Sequence, residues 1–351
     1  MGGIFLFKKF NLLFTILIIL SILLIGCTSN TSETDLDNTS ESNKINIVTT
    51  FYPLYDFAKK IGGEYVEVQN IVPTGVEPHD WTPKTRDMIQ ITEADLFIYN
   101  GLGFESWIES FFSSLEADVS IEWVEASLGA QILDATIEEE SHEEEGHEEE
   151  SHEEGHEEEG HEEEGHEEEG HEDEHDHGAY DPHIWLSPVQ AKVLAENIKQ
   201  GLIKVDPAHK DEYEERFIEL SNQLDELHLE YKEVLENAPR NEFVVSHQAF
   251  GYLANEYNLT QKSIMGITPE AEPTIQDYKN ISVFVEENNI QYILFEELVS
   301  PKIAETLSKD LNVETLVLNP LEGLTEEQEK NGDDYFTIMK RNLTSLEKAL
   351  Q

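Results

Sequence analysis

The stretch from Asp206 to Pro239, DPAHKDEYEERFIELSNQLDELHLEYKEVLENAP, decides how the rest of the chain is read. Within it Tyr213, Phe217, Leu220, Leu224, Leu227, Tyr231 and Val234 recur at spacings 4-3-4-3-4-3, the period of one helix face. Asp206 can cap such a helix. Pro207 suits its first position, where the missing N–H has no partner to lose, and Pro239 marks its end. About 30 residues at about 1.5 Å each make a rod of roughly 45 Å. Periodicity alone fits an ordinary amphipathic helix or a coiled-coil seam. A rod joining two lobes is the sharper reading, and it would restrict hinge motion between them.

The chain on either side supports the sharper reading. Before the rod, strand-like runs at 45–50, 65–72, 95–99 and 120–124 alternate with helix-like runs at 53–61, 84–92 and 105–115. The same rhythm returns from Glu242, with strands at 243–246, 262–265, 292–296 and 314–318 and helices at 248–257, 274–288, 301–310 and 333–349. Alternation of this kind predicts an α/β fold: two βα lobes with mainly parallel sheets, joined by one long rigid helix. The expected division is an N-terminal lobe at 45–205, a linking helix at 206–238 and a C-terminal lobe at 239–351.

The N-terminal end reads as an export signal. Lys8 and Lys9 precede an almost wholly apolar run from Leu12 to Ile25, which ends at Leu24-Ile25-Gly26-Cys27. Basic, then apolar, then small residues at a cut site describe a signal peptide, here residues 1–26. Gly26-Cys27 resembles the lipobox of prokaryotic lipoproteins, which makes Cys27 the lipidated N-terminus of the mature chain. Residues 27–44 then form a polar tether. The globular part is expected outside the cytoplasmic membrane, anchored to its outer face. An uncleaved membrane-spanning anchor is the alternative. Cys27 is the only cysteine among the 351 residues, so intramolecular disulfides and thiolate metal sites are excluded.

Seventy-five acidic and 22 basic residues give a formal net charge of −53. Residues 138–177 hold 24 of the acids, leaving about −29 elsewhere. Nucleic acid and anionic membrane surfaces are poor partners for such a chain, and cations are good ones. The segment 138–177 repeats Gly-His-Glu-Glu-Glu and carries His142, His147, His152, His156, His161, His166, His171, His175 and His177. Regular glycines and dense like charge oppose folding, so it reads as a disordered insertion in the first lobe with auxiliary, weaker metal binding. His152-Glu153-Glu154-Gly155-His156 matches the H-E-x-x-H pattern of zinc proteases. That chemistry needs a stable helix under the motif, and this copy lies in a Gly-interrupted acidic repeat.

Four stretches gather the remaining chemistry: 75–81 with His79, 181–188 with His183, 246–252 with His247, and 319–324 with Glu322. At least three of them follow predicted strands, whose carboxyl ends carry ligand sites in open α/β sheets. Three histidines and one carboxylate can therefore converge in the cleft between the lobes.

In these stretches, and in EPHDWTP at 77–83, DPHIWLSP at 181–188, SHQAFGYLANEYNL at 246–259 and EAEPT at 270–274, the chain resembles the metal-binding solute receptors of ABC transporters, particularly the ZnuA- and AdcA-like zinc group. The resemblance covers nearly everything after residue 44. It implies two lobes joined by a rigid helix with metal between them, and it carries the ligand role onto His79, His183 and His247. The fourth ligand aligns best with Glu322, while Glu77, which lies two residues before His79, and solvent remain rivals. Three imidazoles and a carboxylate suit Zn²⁺ in a tetrahedral shell, whereas a carboxylate-rich set suits Mn²⁺.

The resemblance implies a non-enzymatic, monomeric receptor that passes Zn²⁺ to a permease and ATPase on other chains. A manganese receptor of the same family, an extracytoplasmic zinc hydrolase and a surface adhesin are the alternatives. A carboxylate that closes the metal shell disfavours hydrolysis, because no position is left for attacking water.

Overall fold

The computed structural model describes residues 44–115, 119, 121–135, 180–267, 274–298 and 302–351. Cys27, the signal segment and the nine histidines of 138–177 lie outside the described residues. The first lobe runs β1 (Ile45–Thr49), α1 (Tyr52–Gly62), β2 (Val66–Asn70), α2 (Thr85–Glu93), β3 (Leu96–Tyr99), α3 (Ile108–Ser114) and β4 (Glu122–Glu125). Two helices follow, α4 (Pro188–Val205) and α5 (Lys210–Leu235). The second lobe comprises β5 (Glu242–Val245), α6 (Gly251–Glu256), β6 (Thr260–Ser263), α7 (Ile275–Glu287), β7 (Tyr292–Phe295), α8 (Lys302–Leu311), β8 (Glu314–Val317), α9 (Glu326–Asn331) and α10 (Tyr335–Ala349).

Each sheet has four parallel strands, ordered β2-β1-β3-β4 and β6-β5-β7-β8. The two orders are the same pattern repeated, and in each the direction of winding reverses between the first and third strands of the lobe. That switch point opens a crevice beyond the strand carboxyl ends. Successive side chains on a strand face opposite ways, and the cores follow this rule. Ile47 joins a large central cluster while Val48 faces a smaller outer one. Phe243 and Val245 join the central cluster while Val244 faces a third. The central cluster also takes Leu220, Leu224, Leu227 and Tyr231 from α5 and Tyr335, Ile338 and Met339 from α10. Both lobes therefore share one core with the rod, and residues 44–351 form a single unit.

The rod departs from expectation at its start. Its α-helix begins at Lys210 rather than at Pro207, because residues Pro207–His209 form a 3₁₀ turn. Asp206 makes no backbone cap there; its Oδ2 accepts from His209 Nδ1 at 2.6 Å and from Tyr213 Oη at 2.7 Å. Twenty-six residues span about 39 Å at about 1.5 Å per residue. The seam packs within the molecule, against α1, α4 and α10. Arg216 Nη1 donates to the carbonyl of Gly62 at 3.3 Å, and Tyr231 Oη donates to that of Met339 at 2.7 Å, so each end holds a different lobe.

Helix α4 was not anticipated. Its signals are local: Ser187 accepts from the Gln190 amide as N-cap, Pro188 occupies the first turn, and Ala191, Leu194, Ala195, Ile198 and Leu202 are buried at helical spacing. In the second lobe α6, α7 and α8 end alike. Asn258, Asn289 and Asn312 take left-handed φ values of 55°, 52° and 55°. The next residue's amide returns to a carbonyl one turn back, Leu259 to Ala254, Ile290 to Val285 and Val313 to Ser308. These are Schellman closures, with asparagine in the place glycine usually takes.

Candidate metal centre

The loop after β2 carries His79. Asn70 Nδ2 donates to the Val72 carbonyl at 2.9 Å, and the Gly75 amide crosses to the Leu324 carbonyl of the other lobe at 2.9 Å. Gly75 has φ 79°, which a side chain would resist. The His79 ring meets Phe104 edge-on, with centroids 4.9 Å apart. Its side chain is 4% exposed.

His183 follows the antiparallel bridge between Asp134 and Tyr180. Asp181 Oδ1 accepts both the His183 backbone N–H at 3.0 Å and Nδ1 at 2.8 Å. Asn100, just past β3, donates from Nδ2 to the Pro182 carbonyl at 3.0 Å. Trp185 then ties this turn to the second lobe, its indole N–H reaching the Pro320 carbonyl at 2.7 Å. His247 leaves the end of β5, and its Nδ1 lies 2.5 Å from Glu296 Oε1. Glu322 follows β8 through an Asx turn in which the Leu321 amide donates to Asn319 Oδ1 at 2.7 Å. Leu321 stands at φ 60°, a strained setting for a residue with a Cβ. Asn342 secures the turn with two bonds to the Asn319 backbone, at 2.8 and 2.7 Å.

The four side chains converge. His79 Nε2 lies 3.2 Å from His183 Nε2, which lies 3.4 Å from His247 Nε2. Glu322 Oε1 lies 3.5, 3.2 and 3.5 Å from the Nε2 atoms of His79, His183 and His247. A tetrahedron with bonds of about 2.0–2.1 Å has edges of about 3.3–3.4 Å, so the spacing fits a zinc-sized ion bound by nitrogen and oxygen. Among the described residues this is the one group of three or more His, Cys, Asp or Glu side chains so arranged.

Polarity agrees with the spacing. Nδ1–H groups donated to Asp181 and Glu296 leave lone pairs on the Nε2 atoms of His183 and His247. Those lone pairs face Glu322 Oε1, and both Glu322 oxygens are buried without a hydrogen-bond partner. Acceptors turned toward one another require a cation or protons among them. Without metal, protons fill the role. Burial opposes a proton on His183, but Asp181 and Glu322 outweigh it and raise the group above its ordinary value. Burial likewise opposes one on His247, yet Glu296 and Glu322 lift it well above the usual range. At His79 burial prevails over the pull of Glu322 and lowers the pKa. Burial pushes Glu322 up, but the surrounding imidazoles carry it well below the ordinary carboxylate value.

Glu77 stays outside the cluster. Its Oε1 accepts the His79 amide at 3.2 Å. Burial and the nearby Glu322 raise its pKa to about 10. Asp181 and Glu296, which orient two of the rings, were missed as functional residues from sequence. Asp181 sits two residues before His183, a spacing that could have suggested it. Glu296 is brought to His247 only by the pairing of β5 with β7.

The sequence profile of the family described as zinc-uptake complex component A, periplasmic, matches residues 47–349. The high-affinity zinc uptake system protein ZnuA of Bacillus subtilis strain 168 is 37% identical over 344 residues, which cover 98% of each chain. The zinc-binding lipoprotein AdcA of Streptococcus pneumoniae R6 is 36% identical over 348 residues; the match covers 97% of this chain and 61% of that longer protein. The crystal structure of the Zn(II)-bound ZnuA-like domain of Streptococcus pneumoniae AdcA superposes with a TM-score of 0.68 at 34% identity, covering 88% of this chain and 99% of that one. A profile match across both lobes, with identity of this level over nearly the whole length, means that the chain belongs to the zinc-uptake complex component A family.

Proposed function

We propose that this chain is an extracytoplasmic receptor that captures Zn²⁺ with His79, His183, His247 and Glu322 and delivers it to an ABC permease powered by a separate ATPase. The observation that carries the reading is the convergence of three imidazole nitrogens and one unpaired carboxylate oxygen at tetrahedral spacing. Three neutral histidines leave the ion's double charge uncompensated, and Glu322 supplies the anion in a buried setting. Four protein ligands close the shell and leave no open position for water, which suits a carrier better than a hydrolase.

Residues 45–205 and 239–351 act as the two jaws and 206–238 as their connection. Cys27 holds the mature monomer to the outer face of the membrane, its signal peptide removed. Fatty-acid labelling that persists after Cys27→Ala would overturn the anchor. The histidines of 138–177 take further zinc more weakly, because gathering ligands from a Gly-interrupted acidic repeat costs conformational entropy at each site.

Calorimetric titration of the soluble chain lacking 138–177 tests the centre. One tight zinc ion per molecule is expected. Alanine at His79, His183 or His247 removes one ligand of four and weakens binding by roughly 100-fold or more, while Glu322→Gln weakens it with stoichiometry kept. Wild-type affinity in all three alanine variants would reject the site. Unchanged stoichiometry between the full and shortened chains would reject binding by the insertion.

A further inference from the structure

Residues 135–179 separate two short limbs of the first lobe, Leu133-Asp134 and Tyr180-Asp181. The limbs are laced into a neck. Asp134 and Tyr180 form an antiparallel bridge, and the Asp181 amide donates to the Leu133 carbonyl at 2.9 Å. A residue of the second lobe closes the same neck. The Tyr252 hydroxyl accepts the Leu133 amide at 3.1 Å and donates to the Asp181 carbonyl at 2.9 Å. Tyr252 lies in α6 and is 3% exposed, so its oxygen accepts and donates out of water. The residue before it brings α6 closer still: a Cβ at Gly251 would lie 2.3 Å from Asp181 Oδ2.

Asp181 is where the neck meets the metal centre. Its amide and carbonyl belong to the neck, while its Oδ1 takes both the backbone N–H and Nδ1 of His183. A shift of the Asp181 backbone therefore moves the oxygen that orients a ligand. The insertion supplies a reason for such a shift. Its acids repel one another, and keeping the ends of a 45-residue span together costs entropy. Against the few residues left once 138–177 is removed, the ends of the longer span meet roughly 30-fold less often. That is about the worth of one or two net hydrogen bonds. A hydroxyl that makes two of them can decide whether the neck stays shut.

We propose that Tyr252 is a positioning residue that shields the metal centre from the insertion: by tying both limbs of the neck to the second lobe, it keeps Asp181 set against His183. Tyr252 lies outside the four-membered group and acts through Asp181. This rests on the zinc reading of the site given above and adds to it a dependence of the centre on the neck.

The test sets Tyr252→Phe in the full chain beside the same change in the chain lacking 138–177, each compared with its parent. Competition against chromophoric chelators gives the zinc affinity of the tightest site. Hydrogen exchange of the metal-free protein follows the Leu133 and Asp181 amides. In the full chain Tyr252→Phe should weaken zinc binding about tenfold, the scale on which outer partners of ligands act, and both amides should exchange faster. In the shortened chain, whose ends stay close without help, the loss should be about threefold or less. A disulfide across the bridge, from Asp134→Cys with Tyr180→Cys in a Cys27→Ala background, should return most of the affinity to Tyr252→Phe until it is reduced. Facing residues of an antiparallel pair lie within reach of such a bond. Equal losses in the two backgrounds would make Tyr252 ordinary packing and overturn the proposal. So would wild-type affinity in the full-chain variant, or a disulfide that leaves the loss in place. A parent chain that binds no zinc overturns the zinc reading instead, and the two failures are told apart because amide exchange is read without metal.

Discussion

His183 and His247 hold a proton more tightly in the folded protein than in the unfolded chain, since Asp181, Glu296 and Glu322 outweigh the cost of burial. Protonated, they stabilise the metal-free fold fully below the unfolded value of about 6.5, and that contribution is lost as pH rises through their raised folded values. Zinc competes with the same protons for Nε2. Apparent zinc affinity should therefore keep climbing above about pH 6.5, on the order of tenfold per unit while one proton is displaced. Chelator competition across that range checks it, and a plateau beginning near pH 6.5 would show two histidines titrating as free imidazole does. The four converging side chains could be picked out as candidates from the sequence because each sits in a short motif, three of them in loops beyond strand-like runs. The oxygens that orient them were less legible. Glu296 reads as the polar end of a strand until β5 and β7 are paired, and pairing of that kind is a long-range fact.

The rod was legible as an element but not at its start, because the Asp206 side chain engages His209 and Tyr213 and holds a 3₁₀ turn in place of a helical cap. The strands of both lobes fall within about two residues of the expected runs and most helices overlap theirs, since strand-forming residue types and asparagine-terminated helices are local signals. Helix α4 follows directly on the His183 motif, and its signals are a serine N-cap, a proline in the first turn and apolar residues at helical spacing. Leu224 lies at the middle of the α5 seam and is fully buried in the core shared by both lobes. Leu224→Ala should cost about 2–5 kcal/mol, as truncations of fully buried leucines do. Because the core is continuous, denaturant unfolding of the described unit should stay a single transition shifted to lower concentration. Two separated transitions would show lobes that fold independently of the rod.

Taken whole, the molecule joins two lobes of one plan through a helix that grips both, and closes them over a centre to which each contributes. His79 and His183 come from the first lobe, and His247 and Glu322 from the second. Trp185 to Pro320, Gly75 to Leu324 and Tyr52 Oη to the Asp333 carbonyl at 3.2 Å stitch the interface around it. The chain carries a formal charge of −53, which favours the approach of cations at low ionic strength. The central claim is that one zinc ion is held by ligands from both lobes, three nitrogens and one oxygen. X-ray absorption at the zinc edge, on the 1:1 complex of the chain lacking 138–177, measures that shell directly. The account predicts four nitrogen and oxygen scatterers at about 2.0–2.1 Å, with the outer-shell pattern of three imidazoles that falls to two in His247→Ala. A shell of six oxygens, or three imidazoles that persist in His247→Ala, would contradict it.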